Sequence, residues 1–394
     1  MSAKFSGVEL YKIGKGWSVK LLRTCIRNCS KEKMMRYTIV LLLTAFAINA
    51  YSQFPKVDIP GSEVRKITSS IVAGQEYELQ IFLPGNYKNS NKKYPVVYLM
   101  DSQWDFPLVK CIYGEHYYDG FIPEMIIVGV TWGGVNPNPD SLRARDYTPT
   151  KEQRLPQSGG ADKFLSFMKD ELFPFIETNY KADPQNRSLM GCSLGGLITL
   201  YAFLTHTDMF NGYAAASPAV GWGNEVLYQY EKEFANKKLD RPVRVYMTVG
   251  DVERGRPVFE KMAGYFTGKQ YQNVSVRSKV LENTGHSGTK GETFARGLQY
   301  IFERPKLKLD DLTLNKYVGS YQISNGPKVE FKNENNQLVV YVSPSFKVDL
   351  FAASQTEFYA TSEFINISFK SREGKVDGFE LATYNNNQVA KKIN

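Results

Sequence analysis

Histidine and cysteine are scarce in this 394-residue chain, with three of the first and four of the second. The histidines stand far apart, at 116, 206 and 286, and no Cys/His group has metal-ligand spacing, so the sequence gives no reason to expect a metal centre. Cys25 and Cys29 fall in the first 33 residues, which leaves Cys111 and Cys192. One pair in a chain of this size is no disulfide framework. Long apolar runs are missing too. The run Tyr37–Ala47 is too short to span a bilayer comfortably. The formal charge of +9 lacks the distribution of a nucleic-acid binder, since residues 1–36 carry +7 of it and residues 37–52 carry no charge, leaving +2 from Gln53 onward. There is no basic-aromatic stripe, internal repeat or low-complexity tract. Nucleic-acid binding is therefore not expected.

The basic amino terminus has another reading. Met34-Met35-Arg36 is a short positive start, Tyr37–Ala47 has the length of a signal h-region, and Ala50-Tyr51-Ser52 places small residues ahead of a cleavage site before Gln53. The expectation is a signal peptide with Met34 or Met35 as the natural start, and an exported, periplasmic or extracellular protein not stably inserted in a membrane after cleavage. A retained amino-terminal anchor is the alternative. No cysteine sits at the cleavage point, where the residue is Gln53, which argues against lipid anchoring. The expected division is 1–52 extension and signal peptide, 53–303 catalytic domain, 304–316 linker and 317–394 small β domain. The sequence sets no oligomeric state.

Glu63–Pro84 alternates in strand fashion around Ala73-Gly74, the pattern of a hairpin. Tyr94–Met100 and Met125–Val130 are continuous apolar runs, the kind buried on both faces of a parallel sheet. Phe164, Phe167, Met168, Leu172, Phe175 and Ile176 recur at helical spacing, with Pro174 expected to kink or end the first half. Further strands are expected at Tyr213–Ala216, Val243–Val249 and Val274–Leu281, and a closing helix at Thr293–Phe302. This alternation predicts an α/β fold, a mostly parallel sheet with helices on both faces and reactive groups at the strands' carboxyl ends. After the charged, proline-bearing Glu303–Lys308, the residues from Tyr317 to Asn394 read as eight short strands with polar turns. That pattern predicts a small C-terminal antiparallel β-barrel.

Gly191-Cys192-Ser193-Leu194-Gly195-Gly196 lies where an apolar strand turns sharply into a helix. Glycines at 191 and 195 suit a turn too tight for side chains, and the turn lifts the Ser193 hydroxyl beside free helix N–H groups. A serine hydroxyl needs a base within hydrogen-bond reach, normally an imidazole oriented by a carboxylate. His116 precedes the serine. His206 lies 13 positions along the following helix, roughly 20 Å away at about 1.5 Å per residue. His286, in the glycine-flanked loop after the last strand, is both downstream of the serine and at a strand's carboxyl end. The acid belongs after the strand between them, where Asp251 and Glu253 are both available and local chemistry does not separate them.

The order serine, acid, histidine after successive strands is that of the α/β-hydrolases. Over roughly Glu63–Phe302 the chain resembles the Putative esterase family of that fold, which includes feruloyl and acetyl-carbohydrate esterases, siderophore esterases and S-formylglutathione hydrolases. The resemblance rests on Tyr94–Asp101, Arg143–Pro149, Gly191–Gly196, Ser217–Trp222, Gly250-x-x-Glu253 and Gly285-His286 taken in order. It implies Glu253 as the acid, with Asp251 the alternative, and a cofactor-free serine esterase working through an acyl-enzyme. It also implies an oxyanion hole from the backbone N–H groups of Leu194 and of the Ser102–Gln103 loop. Arg143, Arg145 and Trp222 are candidates for lining the substrate pocket, against the plainer reading that they pack the loop. Two positions depart from the family pattern. Asp101-Ser102-Gln103 stands where many members have Asp-Gly, and Gly221 stands where members often have a second tryptophan, which widens the expected pocket. The carboxyl-terminal segment resembles lipocalin-like domains appended to secreted hydrolases. The expected substrate is a small-molecule or polysaccharide-linked ester, an acylated carbohydrate or a siderophore-type ester. Acyl transfer to another alcohol and a non-catalytic binding role on the same fold are the competing readings.

Overall fold

The computed structural model describes residues 3–5, 8–13, 16–20, 58–384 and 386–393. The signal peptide expected within 34–52 lies outside them. Residues up to Asp58 and those from Ile59 onward form two separate units. In the first, β1 (Ala3–Phe5), β2 (Val8–Ile13) and β3 (Gly16–Lys20) make an antiparallel sheet.

The second unit begins with the expected hairpin, β4 (Ser62–Thr68) and β5 (Glu76–Phe82). It continues into an eight-stranded sheet with β6 (Tyr94–Leu99), β7 (Ile126–Trp132), β8 (Ala182–Cys192), β9 (Gly212–Ala216), β10 (Val243–Gly250) and β11 (Val274–Leu281), in the order β11-β10-β9-β8-β6-β7-β5-β4. Every pairing from β7 to β11 is parallel; only β4–β5 and β5–β7 are antiparallel. β7 is buried at all seven positions, which explains its unbroken apolar sequence: there is no polar face to alternate with.

Successive side chains of β6 enter different cores. Val97 and Leu99 meet Phe106, Val109 and Tyr113 of α1 (Ser102–Tyr118) and Phe294 and Leu298 of α9 (Thr289–Ile301). Val96 and Tyr98 join the larger core with α3 (Ala161–Phe167), α4 (Phe173–Asn179), α5 (Leu194–Thr205), α7 (Leu227–Phe234) and α8 (Arg256–Gly268). The remaining helices of this domain are α2 (Pro139–Tyr147) and the single turn α6 (Trp222–Glu225). At Pro174 the expected break is a π-turn, Met168–Leu172, set between α3 and α4, in which the Phe173 N–H reaches back to the Met168 carbonyl. Proline has no N–H to continue an α-helical ladder, and the wider turn absorbs the loss. Among the described residues, no helix is long and apolar enough to cross a membrane.

Beyond α10 (Asp311–Asn315), eight strands, β12 (Gly319–Ile323) through β19 (Asn387–Lys392), close into an antiparallel barrel in sequence order, with β12 pairing β19. Its interior is filled by Tyr321, Phe331, Phe358, Phe369 and Phe379, whose rings meet edge-on or tilted at centroid distances of 5.1–6.0 Å. This is a packed aromatic core. Residues 304–316 do not hang free. Leu307 N–H bonds the Ala352 carbonyl and Leu314 is buried in the barrel core.

Candidate active site

The Gly-x-Ser-x-Gly corner is tight in a measurable sense. A Cβ on Gly191 would lie 2.5 Å from the Gly195 carbonyl carbon, and one on Gly195 would lie 3.0 Å from Asp101 Oδ2. Ser193 itself sits at φ 61°, where a side chain costs about 1–3 kcal/mol. The backbone holds it there on three hydrogen bonds: its N–H to Ala216 O at 2.9 Å, and its carbonyl accepting from Leu197 N at 2.9 Å and Ala219 N at 3.0 Å. The hydroxyl thus stands at the carboxyl end of β8, at the N-cap of α5, whose first N–H groups include Leu194.

His286 and Glu253 meet, with His286 Nδ1 2.7 Å from Glu253 Oε2. The other oxygen, Oε1, accepts from Ser217 Oγ at 2.5 Å and from Gly250 N at 2.7 Å. Burial alone would raise this carboxyl. The Ser217, His286 and Gly250 hydrogen bonds outweigh it and hold the group below the ordinary glutamate value. Asp251 turns elsewhere. Its Oδ1 accepts from Thr284 N at 3.0 Å, bracing the loop that carries His286. Gly250 is required at this junction, because a Cβ would fall 1.9 Å from Thr284 O. On the far side Thr289 Oγ1 donates to the His286 carbonyl and lies 2.8 Å from Ser217 Oγ. In the sequence Thr289 carries no signal, and Ser217 enters only as the first residue of the Ser217–Trp222 segment, with no role attached to it. Their contribution depends on a backbone path, including φ 39° at Ser217, that no local pattern announces.

The other two histidines are placed away from this cluster. His206 caps the far end of α5 and bonds Thr205 Oγ1, and His116 lies 3.2 Å from Gln299 Nε2. Cys192 is buried beside the elbow as a free thiol, pushed up to about 12 by burial. A thiol so far from ionising is inert space-filling.

The loop after β6 shows how the chain accommodates its departure from Asp-Gly. Asp101 adopts a left-handed φ of 56° as the N-cap of α1. Ser102 packs fully buried against Gly129, where a Cβ would come within 2.5 Å of the Ser102 Cβ. Both atoms of the Gln103 side-chain amide are buried with no partner among the described residues. Arg143 fixes this loop with a fork of two bonds to Asp101, Nε to Oδ1 at 3.0 Å and Nη2 to Oδ2 at 2.8 Å, and a third to the Cys192 carbonyl at 3.3 Å. Burial drives the Asp101 carboxyl up and Arg143 pulls it back. Next to it Lys290 Nζ bonds Asp105 Oδ1 at 2.7 Å, joining α9 to α1. The Arg143→Gln variant leaves Asp101, 2% exposed, without its counter-charge. We expect a loss of about 3–5 kcal/mol, read as a lowered urea midpoint, together with reduced kcat.

Arg145 is not brought to Ser193. Its guanidinium is spent on Asp146 at 2.7 and 2.9 Å and on Gln75, in a knot where Asp146 also accepts from Tyr77 and Trp132. Trp222 donates to Thr150 O and Oγ1 and lines a cavity of about 640 Å³ with Gly221, Arg154 and Leu155. A Cβ on Gly221 would meet nothing nearer than 4.0 Å, so the missing second tryptophan leaves open space.

Comparisons with known proteins agree with this architecture. The model of the Esterase family, described as Putative esterase, matches residues 69–289. The chain belongs to this family. It is 31% identical over 230 residues to the ferri-bacillibactin esterase BesA of Bacillus subtilis (strain 168), covering 52% of this chain and 78% of that one. The crystal structure of the BES protein from Bacillus cereus superposes with a TM-score of 0.57 at 25% identity, over 64% of this chain and 99% of the other. The IroE-like serine hydrolase from Shewanella oneidensis shares the fold at 23% identity and a TM-score of 0.54, over 61% and 80% of the two chains. The hydrolase half is thus an α/β-hydrolase, and the protein is an ester hydrolase. The barrel lies outside the matched segment.

Proposed function

We propose that the protein hydrolyses a siderophore-type ester through Ser193, His286 and Glu253. The observation that carries the assignment is the 2.7 Å contact between His286 Nδ1 and Glu253 Oε2, made by the loops after β11 and β10 while Ser193 stands after β8. With Nδ1–H donated to the carboxylate, Nε2 is left unprotonated to take the Ser193 proton as the hydroxyl attacks the ester carbonyl. The oxyanion of the tetrahedral intermediate is held by the Leu194 N–H and by the N–H of Gln103, whose loop Arg143 and Asp101 fix in place. His286 then protonates the departing alcohol, water attacks the acyl-enzyme, and the serine is released. Glu253 keeps its negative charge throughout and stabilises the imidazolium.

The substrate class rests on BesA, named for a ferric siderophore ester, and on the rim of the site. Trp104, one residue past Gln103, is 50% exposed with the Arg143 guanidinium 5.6 Å from its ring centroid. An indole held at the mouth suits an aromatic group on the substrate. The leader of residues 34–52 supports action outside the cytoplasm. Hydrolysis rates on acetyl, feruloyl and trilactone siderophore esters test the proposal. The trilactone is expected to have the highest kcat/KM, and Trp104→Ala should raise its KM with little change in kcat. Preference for an acetylated or feruloylated saccharide would reassign the substrate, and appearance of a transesterified product with added sugar alcohol would identify a transferase.

A further inference from the structure

The seam between the hydrolase sheet and the barrel concentrates positive charge, with four cations against one acid lining its cavity. Arg304, the first residue past the closing helix and its short tail, is half-buried there. Its guanidinium lies 3.7 Å from the Tyr359 ring centroid, and it donates to the Asn366 side chain and to the Gly120 carbonyl at 3.1 Å. No carboxylate pairs with it among the described residues, and burial pulls its pKa below the ordinary guanidinium value. A buried guanidinium stays charged, and one without a counter-ion is costly to hold.

Arg304 opens onto a cavity of about 410 Å³ that Arg277, Arg296 and Lys306 also line, with Glu303 as its single acid. Glu303 is already paired with Arg277 at 3.3 Å. Arg296 donates to Gln299, and Lys306 lies over the Phe351 ring, so among the described residues three of the four cations have no carboxylate partner. The cavity is the size of a small-molecule site. It lies by the carboxyl-terminal part of α9, whose 13 residues put about 20 Å between its ends, and His286 precedes the other end.

We propose that this seam is a binding site, separate from the catalytic centre, for a small anion bearing a carboxylate or phosphate group. The guanidinium groups of Arg296 and Arg304 supply paired N–H donors of the geometry such oxyanions accept. Because Tyr359 and Asn366 belong to the barrel while Arg277 and Arg296 belong to the hydrolase, a bound anion ties the two together.

The test uses the full chain in thermal unfolding and titration calorimetry. The probes are inorganic phosphate and D-galacturonate, each matched to sodium chloride of equal ionic strength. Saturable binding of at least one probe is expected, with a higher Tm and affinity weakened about tenfold or more in Arg277→Gln/Arg296→Gln. Hydrolysis of p-nitrophenyl acetate should be unchanged in that variant, showing that it folds. Lys306→Gln provides the same readout from an exposed side chain. A response to phosphate alone identifies a phosphoryl ligand, and a response to galacturonate alone identifies a carboxylate carried on a sugar ring. No saturable effect from either probe, or wild-type affinity in both variants, overturns the proposal.

Discussion

Ser193→Ala is expected to lower kcat on p-nitrophenyl acetate by about 10⁶-fold and to abolish labelling by a fluorophosphonate, with the fold intact. The contacts that fix residue 193 are all backbone: its N–H on Ala216, and its carbonyl accepting from Leu197 and Ala219. Alanine keeps every one of them. It also keeps the Leu194 N–H, so the residual rate reports oxyanion stabilisation without a nucleophile, about 10³–10⁴ over water in comparable enzymes. The measurements are steady-state kinetics, probe labelling and a melting curve. Labelling of the variant at the wild-type level would refute the assignment of Ser193.

The second large effect separates two carboxylates that stand two residues apart. Glu253→Gln is expected to lower kcat by about 10⁴-fold, while Asp251→Asn acts through the loop alone and costs less than about tenfold. The reason lies in what surrounds each oxygen. Ser217 Oγ and Gly250 N both donate to Glu253 Oε1, so a glutamine turns its carbonyl oxygen to them and its NH₂ toward His286 Nδ1. That nitrogen must then accept, which puts the proton on Nε2 and leaves no lone pair for Ser193. Asp251 holds Thr284 N instead. The pH dependence has a definite sign. The Glu253 pKa is depressed in the folded state. Its stabilising contribution is therefore complete above the ordinary value of 4.5 and is lost as pH falls through the depressed value. Urea midpoints measured from neutral to acid pH should fall less steeply at the acid end for Glu253→Gln than for wild type. Equal kcat losses in the two variants would show that the acid has been wrongly chosen.

Much of the hydrolase half was legible because its signals are local. Unbroken apolar runs mark β6 and β7, since burial on both faces leaves no polar period. Glycines 191 and 195 mark the elbow, since nothing larger fits, and Pro174 marks a break, since it cannot continue the ladder. Eight short strands with polar turns mark the barrel. Other features left no such trace. Arg145 and Arg143 stand two residues apart on one helix and look equally suited to a pocket, yet one is locked into a knot with Asp146 and the other pins the Asp101 loop. Ser217 and Thr289 reach the site through long-range placement, and so does Lys290. The residues of 304–316, read as a tether, hold barrel and hydrolase through Leu307, Leu314 and Arg304.

The sequence alone determined which elements form, which serine stands at a strand's end, and which histidine follows the last strand, because each depends on periodicity or on sterics within a few residues. Where the two neighbouring carboxylates go is visible only in the tertiary structure: Glu253 reaches His286, and Asp251 takes the Thr284 N–H. A two-residue difference after β10 sends one carboxylate to a backbone amide and the other to an imidazole 33 residues away, and that choice is made by the packing of β10 against β11 and by the absence of a Cβ at Gly250.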